Sequence, residues 1–345
     1  MTKDELSELD ILDWTDYSEN FSHADLLIGN GFSQNFSNDF HYNSLFVEFL
    51  SSCEAAEAGR FRSFETTNFE AIQRELQAAV RVNGLFGIFC GGVEQSVDAL
   101  RQGLIKAIRA KHPRTEDINW SILRALTNQL KWAEDIFTLN YDLYLYHLIM
   151  IFGDRRKDQT DEIDYAYNDY FWQSTEDPLF LEFMDYQNYT HYKHVYYLHG
   201  ALFLFPGAYN DLKLRRRNSG ELVDGVADQI AGGNLPLFVS EGHWKDKLAV
   251  IRHSPYLNFA YKNLAEARDR LVLFGTSLTP EQDQHIIEAI NTKRRDLAIG
   301  IYVGDRNAED IRKDVTAFRA KFYKSDPLFF DSSTMFSFST PPLAR

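Results

Sequence analysis

The chain predicts an α/β fold: a parallel sheet with helices on both faces, into which a helical and aromatic-rich lobe is inserted. Three observations lead there. Short apolar runs stop at small or polar residues four times, at Ile28 before Gly29, Leu139 before Asn140, Leu198 before His199 and Phe274 before Gly275, as buried strands feeding tight turns do. Strand-like and helix-like patterns alternate through the last third, which is how a parallel sheet is written in sequence. With 345 residues there is material for one large domain carrying an insertion.

Residues 24–28 form the first core strand. Helical spacing follows in residues 44–58, 68–82, 93–110 and 117–132, so a helical insertion over 44–132 separates the first strand from the second. Residues 134–139 read as the second strand, with Asp142 placed to cap a helix over 143–152. An aromatic-rich insertion spans 154–194; its aromatic segment, 165–197, and the helical block 44–132 are the candidate interaction surfaces, though rings at such spacing usually serve as core. A strand over 195–198 enters His199-Gly200, and the basic run 213–217 before Asn218-Ser219-Gly220 reads as a turn between hairpin strands. Residues 236–239 are a strand candidate and 271–274 and 297–303 read as strands; 244–252, 255–267, 282–292 and 306–322 read as helices. The main domain is expected over 20–330, followed by a loose tail, 332–345.

Bulk properties exclude several classes. A formal charge of -14 repels a phosphate backbone, so nucleic acid is not expected as the main ligand. Two cysteines, Cys53 and Cys90, are too few for a disulfide framework and fit a reducing cytoplasm. The first sixteen residues lack the apolar core of a leader, and the greasy run 136–152 is broken by Asn140, Asp142 and His147, so no membrane span is expected.

The four strand ends carry the chemistry. Gly29-Asn30-Gly31-Phe32-Ser33 lets backbone amides approach an anion, and it equally makes a ligand-free glycine turn. A G-x-G-x-x-G fingerprint would need glycine at Gln34, and no Gly-Lys-Ser/Thr follows for a P-loop. In Thr138-Leu139-Asn140-Tyr141-Asp142 the carboxamide and carboxylate share one side of an extended segment; they orient a water or hold a sugar hydroxyl, or form only a turn and cap. His199 is the one histidine between an apolar strand and a glycine, suited to proton transfer or to a structural hydrogen bond. Gly275-Thr276-Ser277 offers a second cradle of small donors, and Asp283 and His285 open the next helix. No histidine spacing suggests a metal, and none is expected.

Taken in order, these motifs resemble the SIR2 (sirtuin-like) superfamily, whose pattern runs G-A-G-x-S, T-x-N-x-D, a histidine before glycine, then G-T-S. Asp283-Gln284-His285-Ile286 is similar to the D-x-H-I of bacterial members. The resemblance spans roughly residues 25–303 and implies a Rossmann-like, NAD-binding fold. The chain also departs from the deacylases: residues 200–274 contain no cysteine for their four-cysteine zinc module, Asn30 stands where alanine is usual, and no G-I-P-D-F-R follows the first loop. It is more similar to the zinc-less bacterial and phage-defence relatives, which include NAD-hydrolysing effectors.

The resemblance implies NAD as substrate, with no metal. Its diphosphate would lie against Gly29, Asn30, Gly31, Phe32 and Ser33, and its adenosine side near Gly275, Thr276 and Ser277, with Thr138, Asp283 and His285 also lining the site. Asn140 would position the attacking water, Asp142 would support the ribose or Asn140, and His199 would engage a ribose hydroxyl or take a proton. The implied reaction is a glycohydrolase's, yielding nicotinamide and ADP-ribose. Sensing of NAD or ADP-ribose without chemistry, and transfer of ADP-ribose or an acyl group to or from protein, stay open. Control by homo-oligomerisation or by a regulatory protein partner is expected of such an enzyme.

Overall fold

The computed structural model describes residues 3–36, 45–112, 114–158, 165–185, 192–215, 221–239 and 242–338. Their strands are, in chain order, β1 (Ile11–Leu12), β2 (Asp25–Ile28), β3 (Ile136–Thr138), β4 (Ala166–Asn168), β5 (Phe171–Ser174) and β6 (Phe180–Phe183). There follow β7 (Tyr192–Tyr197), β8 (Leu204–Phe205), β9 (Leu212–Leu214), β10 (Arg270–Phe274), β11 (Asp296–Ile301) and β12 (Leu328–Asp331). Eight of them form one sheet in the order β1-β12-β11-β10-β2-β3-β7-β4, every pair parallel. Helices flank this sheet, as the alternating pattern predicts.

The order of strands decides where chemistry can sit. From β2 the chain lays down β3, then the edge strand β4, then β7 between them, and returns to the other side of β2 to lay down β10, β11 and β12. The reversal lies between β2 and β10, and in an open parallel sheet that switch point leaves a crevice at the carboxyl ends. Register brings the four motifs level: Phe274 pairs with Ile28, Ile28 with Thr138, and Thr138 with Tyr197. The ladder runs one residue further, with Gly29 N donating to Phe274 O, Leu139 N to Ile28 O and Leu198 N to Thr138 O, each at 2.9 Å. Four adjacent strands at about 4.8 Å spacing put roughly 15 Å between the outer two motifs.

Burial explains the strand reading. All four residues of β2 are buried, including Asp25, and Leu26, Leu27 and Ile28 belong to one continuous core with β3, β10 and β11. A central strand covered on both faces reads as an unbroken apolar run. Asp25 survives there because it has partners: Asp135 N and Arg268 N donate to it at 3.2 and 2.7 Å, and Arg268 Nε lies 3.3 Å away. Burial nevertheless raises its pKa to about 6, helped by the charge on Asp135.

Several boundaries differ from expectation. The helix expected over 44–58 is two, Leu45–Ser52 and Ala55–Arg62. The aromatic-rich stretch does not form a separate block: β4 and β7 join the main sheet, while β5, β6, β9 and β8 make a second, antiparallel four-stranded sheet reaching to Leu214. Its rings are core: Phe171 and Phe183 contact each other and Tyr256, Phe180 contacts Phe205, and all five are buried. The segment after β9 leads into a helix, Leu222–Ala231, not a second hairpin strand; Asn218-Ser219-Gly220 lie outside the described residues. The domain also begins before residue 20, since β1 pairs with β12 and buried Trp14 packs on Trp132 and Phe330.

The expected tail is docked as far as Phe338. Phe336 contacts Phe274 and Phe32, Phe338 contacts Phe36, and Ser337 exchanges two hydrogen bonds with Gln129, at 2.7 and 3.2 Å. Residues 339–345 lie outside the described range. Large rings spaced two apart, Phe336 and Phe338, supply the apolar area that a loose tail lacks.

The first and last glycine loops touch backbone to backbone. Gly31 N donates to Gly275 O at 2.8 Å, and a Cβ on Gly31 would lie 2.7 Å from Gly275 Cα. Gly31→Ala is therefore expected to cost about 1–3 kcal/mol of stability. Gly59→Ala, in open space within a helix, is expected to be neutral or stabilising by up to about 1 kcal/mol. Urea denaturation midpoints check both; equal midpoints for the two variants would show that the loops do not abut.

Candidate active site at the carboxyl ends of the strands

Asn140 is held by its own amide. Its Nδ2 donates to Gly29 O and to Ser33 Oγ, both at 3.0 Å, and its backbone N donates to Thr138 Oγ1 at 3.0 Å. A carbonyl at Gly29 requires the NH2 end to face it, which fixes the flip of the side chain. Both amide protons are thereby used, and Oδ1 is left as an acceptor at the head of the crevice. Ser33 Oγ donates in turn to Asp142 Oδ2 at 2.5 Å, and Asp142 Oδ1 accepts from Tyr144 N at 2.9 Å. Ser33, Thr138, Asn140 and Asp142 are all buried. The network thus ties the first glycine loop to the end of β3, with Asp142 both helix cap and anchor.

Burial raises the Asp142 pKa, and the hydrogen bonds from Ser33 and the Tyr144 amide oppose that rise. Ser33 lies between this carboxylate and the Asn140 carboxamide, hydrogen-bonded to both.

His199 leaves β7 two residues beyond Tyr197, as Asn140 leaves β3 two residues beyond Thr138, so both emerge from adjacent strands at one level. Gly200 after it has φ +75°, and a Cβ there would meet Leu237 O at 2.0 Å. Glycine at 200 thus serves the pairing of this turn with Phe238, and the His-Gly dipeptide has a packing reason as well as a chemical one. His199 Nε2 lies 3.1 Å from His285 Nε2, the rings stacked at 5.3 Å. Both rings are buried. Desolvation, with nearby Lys247 adding to it, holds His199 well below the usual histidine range and lowers His285 to about 3. Two neutral rings share one proton, one nitrogen donating and the other accepting.

Lys247, on the helix Trp244–His253, was not singled out by the sequence. It is buried and sits 3.4 Å from Asp283 Oδ1, whose own pKa burial raises. A signal was present: Lys247 lies four residues before buried Ile251, on the inward stripe of its helix. Asp283 reaches it because the helix Pro280–Ile290 is kinked there, Asp283 having φ -130° and ψ 18°. His285 Nδ1 and Thr279 Oγ1 are buried without a hydrogen-bond partner, and Leu278 adopts φ +45°. Unpaired polar atoms and left-handed backbone together mark a strained loop.

The glycine loop is more self-contained than expected. Gly29 N, Gly31 N and Phe32 N donate to Phe274 O, Gly275 O and Gly29 O respectively, so three of its amides are committed within the fold. Asn30 and Ser277 are exposed at the mouth and Thr276 is half-buried. Lys321 Nζ donates to Ser277 O at 2.7 Å, bringing a cation to that side. Among the described residues no group of three or more His, Cys, Asp or Glu could hold a metal, and no helix is long and apolar enough to cross a membrane.

The histidine pair generates a pH signature. The unfolded chain takes up protons below about pH 6.5 while His285 resists until about 3, so stability is lost as pH falls through that window. Asp25 acts oppositely: folded, it holds its proton to about pH 6 against 3.8 unfolded, so its contribution is lost as pH rises between those values. His285→Gln is expected to flatten the acid-side loss of stability relative to wild type, read by urea titrations at several pH values. Ring nitrogens titrating near pH 6.5 by NMR in the folded protein would refute the buried, neutral pair.

No curated protein matches this chain. A solved structure, reported as "Structural Basis for the Mechanism and Regulation of Sir2 Enzymes", aligns with 9% identity and a TM-score of 0.36, over 92% of this chain and 100% of that one. The model of the family described as Domain of unknown function (DUF4917) matches residues 26–335, from β2 through the end of β12 and the turn after it. Since that match covers most of the chain, including both glycine loops and every strand of the main sheet but β1, the chain belongs to the DUF4917 family.

Proposed function

We propose that the chain binds NAD across the carboxyl ends of β10, β2, β3 and β7 and hydrolyses the bond between nicotinamide and ribose. The observation that carries this reading is Asn140: a rigid, buried carboxamide at the switch point, both its protons committed, with only Oδ1 left to accept. An acceptor fixed in that way suits the hydrogen of an attacking water or of a ribose hydroxyl as positive charge develops on the sugar.

In the proposed reaction the oxygen of water bonds to the anomeric carbon of the ribose and the carbon–nitrogen bond to nicotinamide breaks. The electron pair leaves with nicotinamide, which becomes neutral, and the proton of water passes to solvent or to His199. Burial leaves His199 neutral, with a lone pair to offer, and also makes it a weak base, so solvent is the final acceptor. His285 orients His199 through the Nε2–Nε2 contact, and Asp142 orients Asn140 through Ser33. Asn30, Thr276 and Ser277 at the mouth would meet the diphosphate and adenosine, in place of the amides already committed at Gly29, Gly31 and Phe32. With a net charge of -14 around it, an anionic dinucleotide needs such local donors and the nearby Lys321. We place this activity in the cytoplasm, as a defence effector held in check by assembly or a protein partner.

Binding without turnover is the second reading, favoured by one contact: His199 Nε2 already faces His285 Nε2 and not the crevice. Incubating the purified chain with NAD and following nicotinamide separates the two. Asn140→Ala and His199→Ala are each expected to lower kcat by about 10²-fold or more, while Tyr209→Ala, on an exposed loop, leaves it unchanged. Calorimetric binding of NAD with no nicotinamide released would establish the sensor, and ADP-ribose recovered on protein would establish transfer. Absence of NAD binding would end both readings.

A further inference from the structure

The helices Phe69–Leu85 and Gly91–Lys111 form an antiparallel hairpin whose outer half has no core of its own. Toward the body of the molecule, Phe69, Ile72, Leu76, Val97, Leu100 and Leu104 are buried. Between residues 77 and 95 no residue is buried. Yet that stretch is apolar at its tip: Val82, Leu85, Phe86, Ile88 and Phe89 are 50%, 85%, 75%, 56% and 92% exposed. Residues 83–93 include no charged side chain. Of the eleven large hydrophobic residues that are exposed among the described residues, these five fall within eight positions. Scattered exposed hydrophobics need no explanation, but a contiguous cluster marks a contact surface.

A complement lies beside it. A cavity of about 400 Å³ opens between the same two helices, lined by Gln77, Val80, Arg81, Glu94, Val97 and Asp98. Its lining combines apolar Val80 and Val97 with one cation and two carboxylates. Because the tip and the cavity belong to one hairpin, a two-fold axis would place each tip in the other copy's cavity, with Arg81 of one copy facing Glu94 and Asp98 of the other. We infer that this hairpin is a homodimerisation element, in which two copies of this chain close a four-helix contact tip to groove.

Magnitudes agree with that occupant. At roughly 150 Å² for each large side chain when fully exposed, the five tip residues at their observed exposures supply on the order of 500 Å². A specific interface needs about 800 Å² per partner, and the groove walls provide the remainder. Rim charges that are complementary on rotation offset the mutual repulsion of two chains each carrying -14.

The test is the mass of the full chain in solution, by light scattering and sedimentation over a concentration series. Wild type is expected to be a dimer. The Phe86→Asp/Phe89→Asp variant is expected to dissociate about 30-fold or more readily while its circular dichroism and thermal midpoint stay those of wild type, since both rings are exposed in the single chain. Arg81→Glu is expected to weaken the dimer, and mixing it with Glu94→Arg/Asp98→Arg to restore pairing between the two variants. A wild type that is monomeric up to tens of micromolar, a dimer indifferent to the tip substitutions, or charge-reversed variants that fail to pair would each overturn the inference. Monomers that float with phosphatidylcholine vesicles through the same two phenylalanines would overturn it in favour of a membrane contact. None of these readouts depends on NAD turnover, so the dimer and the proposed reaction stand or fall separately.

Discussion

Gly31 and Gly275 meet where no side chain fits, and the arrangement of everything at the carboxyl edge depends on that contact. A single hydrogen bond, Gly31 N to Gly275 O, fixes the loop after β2 against the loop after β10. Side chains there would wedge the two central strands apart at their ends, and the crevice at the switch point would lose its shape. Because β2 and β10 are distant in sequence and adjacent in space, this contact also closes a long return of the chain. Its energy comes less from the hydrogen bond, about 1 kcal/mol net, than from the buried apolar strands that the bond keeps in register.

From that contact outward, polar groups are held by polar groups. Gly29 O receives Asn140 Nδ2, Asn140 reaches Ser33, Ser33 reaches Asp142, and Asp142 caps the helix after β3. Each link satisfies a buried donor or acceptor that would otherwise carry a desolvation penalty of about 1–3 kcal/mol. The histidine pair obeys the same rule more economically, meeting one need of each ring and leaving His285 Nδ1 without a partner. Residual imperfections gather on the β10 side: the unpaired Thr279 hydroxyl, the left-handed Leu278 and the kink at Asp283. The β3 side is satisfied and rigid, the β10 side strained, and a ligand crossing both would meet a fixed acceptor on one flank and adjustable donors on the other.

The insertions are attached to this frame in different ways. The antiparallel sheet of β5, β6, β9 and β8 is joined to the core through tilted and edge-on ring contacts, so it shares the stability of the main sheet. The long helical hairpin is anchored at its base and projects beyond it, which puts its apolar tip outside the cooperative core. Docking of Phe336 and Phe338 on the first glycine loop brings the end of the described chain to the same edge as the candidate site.

Sequence by itself determined the strands that are buried on both faces, because Leu26-Leu27-Ile28 and Leu271–Phe274 have only one environment that suits them, and it determined the small residues at their ends. It also gave the helices over 244–252, 255–267 and 306–322 to within a few residues, since their apolar stripes and caps are local. What only the tertiary structure decided is everything set by partners far along the chain. The edge pairing of β1 with β12 is two residues long and carries no periodicity of its own. The docking of Phe336 and Phe338 depends on rings 300 residues earlier. The commitment of the glycine amides to Phe274 and Gly275, the facing of His199 and His285, and the inward turn of Lys247 all follow from which loops pack together. Local patterns record what each segment must bury; which group buries it is settled only when strands distant in sequence lie side by side.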